Sequence, residues 1–328
     1  MRTAPILLVV GAFLAACALS PNDDSTLRVE LPDGVLETGG APFPAHWIDG
    51  TSPDEPHLQV HWYDADTVIL RQSKRVHYEA PFMYLLFGTT HALLLDTGSV
   101  GDFDLRETVD VLMAEREASL GHPLTLIVTH THGHFDHVAH DDDFQGRENT
   151  IVVPRTIETR MGFFAIEQWP VSVGWIDLGQ RRIEVLPTPG HHPSHLVFWD
   201  ARTNVILSGD TFYPGYLFVF EPRAWSDFAA STRRLLAFAE QRGVTTFLGG
   251  HVEMSTTPGV GYPYRTIEQP EETPLALSID ELRATVAALE SQTEPGFLTM
   301  DRVVLYPAFL DWDDEADDEA DTTNDAAE

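Results

Sequence analysis

Three histidines and an aspartate fall within six consecutive residues in the segment Thr131-His132-Gly133-His134-Phe135-Asp136-His137. Imidazole and carboxylate in a compact set are what a zinc-like divalent ion prefers as ligands. Residues 124–129 just before the segment form a continuous apolar run of buried-strand length, so the cluster sits where a strand opens into a loop. On such a loop His132 and His134, spaced i and i+2, can converge on one ion. Asp136 and His137 can then reach a second ion on the other side of the turn, and Gly133 is read as letting the backbone turn tightly. His130 offers a rival register, since it also stands two residues before a histidine. Counting rejects it, because four and five residues after His130 come His134 and Phe135, which do not supply an Asp-His pair.

Other chemistries are excluded by what the chain lacks. Its only cysteine is Cys17, near the N-terminus, so the remainder has neither a thiol nucleophile nor a cysteine-ligated metal site. No Gly-x-Ser-x-Gly elbow is present to expose a serine nucleophile. The formal net charge is −31, with ten acidic residues between Asp311 and Glu328. That balance argues against nucleic acid as a partner, which needs a basic footprint.

Arg2, the apolar run 6–14 and the segment Leu14-Ala15-Ala16-Cys17 read as an export signal too short to span a bilayer. The final four residues resemble the lipobox of bacterial lipoproteins. That resemblance implies a signal peptide over 1–16, lipidation of Cys17 and residence in the cell envelope, held to the membrane through the lipid alone. The other reading is a plain secretory signal cut near Ala18. Residues 17–56 are rich in Pro, Gly, Asp, Ser and Thr and read as a tether and irregular lead-in, with Trp47 and Ile48 open to packing on the body. The acidic stretch 311–328 is expected to be disordered.

The elements that must position the cluster are short. Strands are expected at 67–70, 82–87, 92–95, 124–129, 151–153, 183–186, 196–199, 205–207 and 246–248. Helices are expected at 103–119, capped by Asp102, at 225–242 and at 278–290. Groups of strands separated by helices indicate a layered α/β protein.

Four further segments recur in order around the cluster: Leu93-Leu94-Leu95-Asp96-Thr97-Gly98, Thr188-Pro189-Gly190-His191, Ser208-Gly209-Asp210 and Gly249-Gly250-His251. With His-x-His-x-Asp-His they resemble the metallo-β-lactamase superfamily over roughly residues 60–255. The resemblance implies a four-layered αβ/βα sandwich, two mixed β-sheets packed face to face with helices outside, over a domain at 57–310. It also implies two divalent metal ions, zinc in first place, with iron or manganese as alternatives. His132, His134 and His191 would hold the first ion, and Asp136, His137 and His251 the second. Asp210 and a hydroxide would bridge them, and Asp96 would orient the loop by hydrogen bonds. Asp136 and Asp210 are then the catalytic carboxylates, Asp136 being the nearest candidate to take up a proton.

The absence of cysteine after Cys17 excludes the β-lactamases that use a cysteine ligand, and His134 stands where the diiron electron-transfer branch has glutamate. What remains is similar to the glyoxalase II and lactonase type of site. A metal-dependent hydrolase of a small-molecule ester, thioester or lactone is therefore expected. The alternatives are a non-catalytic surface binding module, a mononuclear-iron sulfur dioxygenase-like enzyme and a phosphodiesterase. Tyr213, Tyr216 and His195 are candidate substrate contacts, each with packing as its other reading. His192 could exchange with its neighbour His191. Residues 217–220 with Phe163, Phe164 and Trp169 line either a pocket mouth or the core.

Overall fold

The computed structural model describes residues 30–311. The export signal, Cys17 and all of the acidic tail beyond Asp311 lie outside the described residues. Among those described, no helix is long and apolar enough to cross a membrane.

Seven strands open the chain: β1 (Val35–Thr38), β2 (Leu58–Asp64), β3 (Thr67–Gln72), β4 (Phe82–Phe87), β5 (His91–Leu95), β6 (Thr125–Thr129) and β7 (Thr150–Val152). They form one sheet in sequence order. It is mixed: β2 to β5 pair antiparallel, while β1 joins β2, and β6 joins β5 and β7, in parallel. Helix α1 (Leu105–Leu120) crosses between β5 and β6. Three short helices, α2 (Phe135–Val138), α3 (Asp141–Phe144) and α4 (Ile157–Phe163), surround the loops after β6 and β7. A second sheet takes β8 (Gly174–Asp177), β9 (Arg182–Pro187), β10 (Leu196–Asp200) and β11 (Val205–Gly209). After β12 (Tyr216–Val219) and α5 (Ala224–Arg242), β13 (Thr246–Gly249) and β14 (Ala276–Ser278) complete it in the order β14-β13-β11-β10-β9-β8. Helix α6 (Ile279–Ser291) follows, and β15 (Leu298–Thr299) and β16 (Val304–Pro307) pair with β12 in a small third sheet, β12-β16-β15.

The alternation along β4 shows how the layers stack. All six residues are buried. Phe82, Tyr84 and Leu86 face the second sheet, meeting Val185, Phe198 and Leu207 in the central core. Met83, Leu85 and Phe87 face the other way, onto Leu105, Val109, Leu112 and Met113 of α1. A strand covered on both faces reads as an unbroken apolar run, as 82–87 does. The second sheet turns Leu186, Val197, Ile206 and Phe247 outward onto Phe228 and Leu235 of α5 and Leu282 and Val286 of α6. The result is helix, sheet, sheet, helix: the four-layered sandwich of mixed sheets that the resemblance implied. Cutting one such buried Leu to Ala typically costs about 2–5 kcal/mol.

Three differences from the expected elements have physical reasons. Val35–Thr38 is an edge strand, so the lead-in is not wholly irregular. It is fastened by polar residues: His61 bridges Thr38 Oγ1 and the Ala41 carbonyl, both at 2.9 Å, while Gln59 takes the Ile48 amide at 2.8 Å. The buried Gln59 and His61 also hide β2, which lacks an apolar run. Helix α1 starts at Leu105, after Asp104 rather than Asp102. Phe103, fully buried, belongs to the core beneath the Gly98 turn instead of to the helix.

Candidate metal centre

The ligand-bearing loops leave the carboxyl ends of β6, β9, β11 and β13, which lie together at one edge of the sandwich. Two groups of metal-binding side chains meet there. One is His132, His134 and His191; the other is Asp136, His137, Asp210 and His251. Within each group the candidate ligand atoms lie within 4.8 Å of one another, and all but half-buried His134 are buried. Asp210 stands between the groups. Its Oδ2 is 3.9 Å from His132 Nε2, 3.5 Å from His191 Nε2 and 3.6 Å from His251 Nε2, and its Oδ1 is 3.5 Å from His137 Nε2.

Hydrogen bonds on the far side of each ring decide which nitrogen faces the centre. His191 Nδ1 donates to the Phe218 carbonyl at 3.0 Å, and His251 Nδ1 to the Glu79 carbonyl at 2.9 Å. His137 Nδ1 donates to Asp96 Oδ2 at 2.9 Å. The Thr131 hydroxyl gives its proton to the Asp96 carboxylate, so it accepts from His132 Nδ1 at 3.1 Å. In the neutral form each of these four rings turns an Nε2 lone pair inward. Polar partners of this kind are what fix the tautomer and orientation of metal-binding histidines. His134 Nδ1 lies 2.9 Å from both His132 Nε2 and His191 Nε2. Three ring nitrogens that converge in this way cannot all be satisfied by one another. Asp210 Oδ1 is moreover buried with no hydrogen-bond partner. Converging lone pairs and an orphaned carboxylate oxygen fit divalent cations.

The two halves differ electrically. Burial, and then the surrounding histidines, hold His132 well below the usual imidazole range. Burial likewise pushes His191 down to about 3. Across Asp210, burial also opposes charge on His137 and His251, but the carboxylates outweigh it. Asp136 and Asp210 raise His137 well above its ordinary value, and His251 is pushed up to about 9. Burial disfavours the charged forms of Asp136 and Asp210 too, yet the two imidazoles beside them hold both carboxyls low.

Asp96, at the end of β5 with φ 67°, accepts from the Thr131 amide at 2.7 Å as well as from the Thr131 hydroxyl and His137. It therefore ties the start of the ligand loop to its end. Gly250 is required by a close approach, since a Cβ there would meet Asp210 Oδ1 at 2.4 Å. Gly133 has no left-handed φ; a Cβ there would meet only the His192 ring, at 3.3 Å. The tight-turn reading of Gly133 is thus corrected.

All three candidate substrate contacts are engaged with the scaffold, in line with their packing reading. His195 is fully buried. Its Nε2 accepts from the Asp210 amide at 3.1 Å, and its Nδ1 faces the hydroxyls of Thr188 and Thr211 at 3.0 and 3.1 Å. It props the Asp210 backbone from behind. Tyr213 is also buried, its hydroxyl engaged with the Tyr216 carbonyl and, at 3.0 Å, with Glu253 Oε2. The Tyr216 hydroxyl donates to the Tyr262 carbonyl at 3.3 Å. Both phenols are bound to the scaffold. His130 pairs with Asp141 at 2.6 Å behind the loop, and the His192 Nδ1 faces the Ser194 hydroxyl at 3.1 Å rather than replacing His191. Phe164 is core, with Phe163 and Trp169 packed against it.

Sequence reasoning missed Arg160. It is fully buried, and Nη1 donates to the Ser194 carbonyl at 2.6 Å and the Thr131 carbonyl at 3.4 Å. It thereby joins the loops that carry His132 and His191. The segment after His251 is clamped by another buried pair, Arg71 with Glu272, at 2.5 and 2.6 Å. Neither arginine stands in a motif. Their only signal is a lone cation within an otherwise apolar or loop segment.

A layered α/β sandwich with a split histidine and carboxylate centre at one edge defines a class of metal-binding protein. Residues 79–251 match the family model of the metallo-beta-lactamase superfamily, and the chain belongs to that superfamily. It is similar to the hydroxyacylglutathione hydrolase of Rhodospirillum rubrum, 28% identical over 61% of this chain and 80% of that protein. It is also similar to the acyl-coenzyme A thioesterase MBLAC2 of Gallus gallus, 31% identical over 24% of this chain and 29% of that protein. Among solved structures, a metallo-beta-lactamase from Pontibacter korlensis aligns over 72% of this chain and 100% of its own at 15% identity, with a TM-score of 0.45.

Proposed function

We propose that this chain is a metal-dependent hydrolase holding two divalent ions, zinc first, and that it cleaves an ester-like carbonyl bond in a thioester, ester or lactone. The observation that carries this reading is the pair of ligand groups that meet at Asp210, with inward ring nitrogens fixed from behind. His132, His134 and His191 would hold one ion, Asp136, His137 and His251 the other, with Asp210 between them. Ions bound there supply an activated water at neutral pH and polarise a carbonyl.

The residues do the rest. Asp96 and the Glu79 and Phe218 carbonyls keep three rings aimed. Asp136, with Oδ2 3.3 Å from His251 Nε2, is the carboxylate set to one side of the centre and is assigned proton uptake from the attacking water. Water must be the nucleophile, since the described body offers no thiol and the sequence no serine elbow. Support for a carbonyl substrate comes from the two relatives, both named for hydrolysis and one of them a thioesterase. A net charge of −31 favours a neutral or weakly charged substrate. The leader sequence adds a place: export to the cell envelope, with Cys17 lipidated. Fatty-acid labelling that Cys17→Ala leaves intact would reject that part.

The direct test measures metal content of the purified protein and then hydrolysis of thioesters, esters, lactones, phosphodiesters and β-lactams. Turnover of a carbonyl substrate that chelation abolishes and zinc restores is expected. A protein that takes up no metal would indicate a binding module instead. Preference for phosphodiesters over every carbonyl substrate would overturn the substrate class.

A further inference from the structure

The phenols of Tyr213 and Tyr216 are bound to the scaffold, so neither is free to meet a substrate oxygen. An imidazole outside the two ligand groups is placed differently. Of the seven candidate ligands only His134 is half-buried, so the centre opens to solvent beside it. His192, half-buried as well, lies at that opening, its ring 5.0 Å from the ring of His134 and 5.7 Å from that of His132, centroid to centroid. A Cβ on Gly133 would lie 3.3 Å from both Cε1 and Nε2 of His192, so this edge of the ring rests over the backbone between the two candidate ligands. The other edge is pinned. Nδ1 accepts from the Ser194 amide at 3.2 Å, and the Ser194 hydroxyl lies 3.1 Å from the same atom. A ring nitrogen that accepts from an amide carries no proton, so the imidazole is neutral and its proton is on Nε2. Nε2 has no hydrogen-bond partner among the described residues and is not sealed from solvent. A donor of fixed tautomer is thus left free beside the three-imidazole half of the centre.

We propose that the Nε2–H of His192 donates to the oxygen of the scissile carbonyl, which makes His192 a catalytic residue. The inference rests on the hydrolase reading above. Charge decides the side on which that oxygen sits. As the attacking oxygen bonds to the carbonyl carbon, the π pair moves onto the carbonyl oxygen, which becomes negative. Beside His137 and His251 it would face both Asp136 and Asp210, whereas beside His132, His134 and His191 only the shared Asp210 opposes it. His192 stands on this less acidic side. Its N–H keeps its proton throughout: it bonds to the oxygen while the pair is there, and the pair returns to the carbonyl as the leaving group departs with its own. A donor whose other nitrogen is already pinned needs no reorientation as the charge develops, and such donors stabilise a transition state most. Gly133 then has a role of its own, since its missing Cβ leaves room for the donor edge of His192.

Two measurements on zinc-loaded protein test the proposal. Calorimetry with butylboronic acid, whose hydroxide adduct is tetrahedral and negative, reads the donor without any turnover. His192→Phe keeps an aromatic ring against His134 but has no N–H, and should bind the boronic acid about a hundredfold more weakly with metal content unchanged. His192→Gln places an N–H near the position of Nε2 and should recover most of that affinity. In steady-state hydrolysis of a thioester, His192→Phe should lower kcat by about a hundredfold with KM within about threefold, while His192→Gln stays within about tenfold of the unsubstituted protein. Unchanged affinity and kcat in His192→Phe overturn the proposal. So does a greater loss in His192→Gln than in His192→Phe, the pattern of a ring that only packs on His134, and so does a loss of metal in His192→Phe, which would make His192 a support of the ligand loop. If boronic acid binding responds as expected while no carbonyl substrate is hydrolysed, the hydrolase reading falls and the donor stands. An unsubstituted protein that neither binds the boronic acid nor hydrolyses a carbonyl substrate overturns both.

Discussion

On one side of Asp210 stand three imidazoles; on the other stand two imidazoles and Asp136. The same loop after β6 supplies both sides, so the difference lies in what surrounds them. His132 and His191 are backed by a neutral hydroxyl and a carbonyl, and burial holds them unprotonated. His137 is backed by the Asp96 carboxylate, and with His251 it faces Asp136 and Asp210, which draw positive charge to both rings. A dication on the first side meets lone pairs ready for it and only the shared carboxylate to neutralise it. A dication on the second side meets two carboxylates, but must displace the protons those carboxylates attract, so its affinity is coupled to protonation. Asp210 lies within 4 Å of histidines from both groups.

That asymmetry predicts a graded response. Asp210→Ala should have the largest effect, since it removes the carboxylate from both sides. Metal content should fall below one ion per chain, and hydrolysis should fall by more than the ~100-fold upper end for losing a partner behind a ligand. Elemental analysis that still finds two ions per chain would dissolve the comparison, because neither side would then depend on the shared group.

Next come the one-sided substitutions. His132→Ala and His251→Ala should each leave one ion bound. The ion remaining in His132→Ala, next to Asp136 and Asp210, should resist a competing chelator better at neutral pH than the ion remaining in His251→Ala. Equal retention would mean that carboxylate charge does not separate the two sides. Asp96→Asn should do less, because it acts through His137 and Thr131. A loss of about 10–100-fold in metal affinity is expected on the carboxylate side, where Asp96 touches His137 directly, and a smaller one on the three-imidazole side, which it reaches through Thr131. Stepwise chelation of this variant that strips the three-imidazole side first would contradict the placement of Asp96.

The parts of this centre legible in the sequence are those whose geometry is local. His132 to His137 lie on one loop, so their spacing alone divides them into the two groups that the structure keeps apart. Residues 82–87 and 124–129 read as strands because both faces are buried and every position is apolar or small. Asp210, His191 and His251 arrive from distant strand ends and were legible only through motifs. The supports of the centre were hidden for a physical reason. The Glu79 and Phe218 acceptors are backbone carbonyls, which every residue has, and Arg160 acts on carbonyls as well. His195 left two readings open, because a histidine four residues after a ligand is available to substrate unless, as here, the turn into β10 buries it against Asp210. β2 was missed because its buried Gln59 and His61 break the apolar pattern that marks a strand.

Tyr213 offers the smallest expected effect on activity and a sharp test of the scaffold on the carboxylate side. Its ring lies 5.6 Å from that of His251, close enough for an oxyanion-donor role to be weighed against packing. In the structure the hydroxyl is held by the Tyr216 carbonyl and Glu253, and Glu253 Oε2 in turn accepts from the Tyr216 amide at 2.9 Å. The phenol thus closes the 213–216 turn against the residue two places beyond His251. Removing an oxyanion donor costs about 10²–10³-fold in kcat, whereas removing a buried structural hydrogen bond costs about 1–3 kcal/mol of stability when an acceptor is left unsatisfied. Tyr213→Phe is therefore expected to lower the free energy of unfolding by about 1–2 kcal/mol while kcat stays within about tenfold. Denaturant unfolding and steady-state kinetics on the same preparation separate the two roles. A kcat reduced by a hundredfold with unchanged stability would return Tyr213 to the substrate and require its hydroxyl to leave Glu253 when substrate binds.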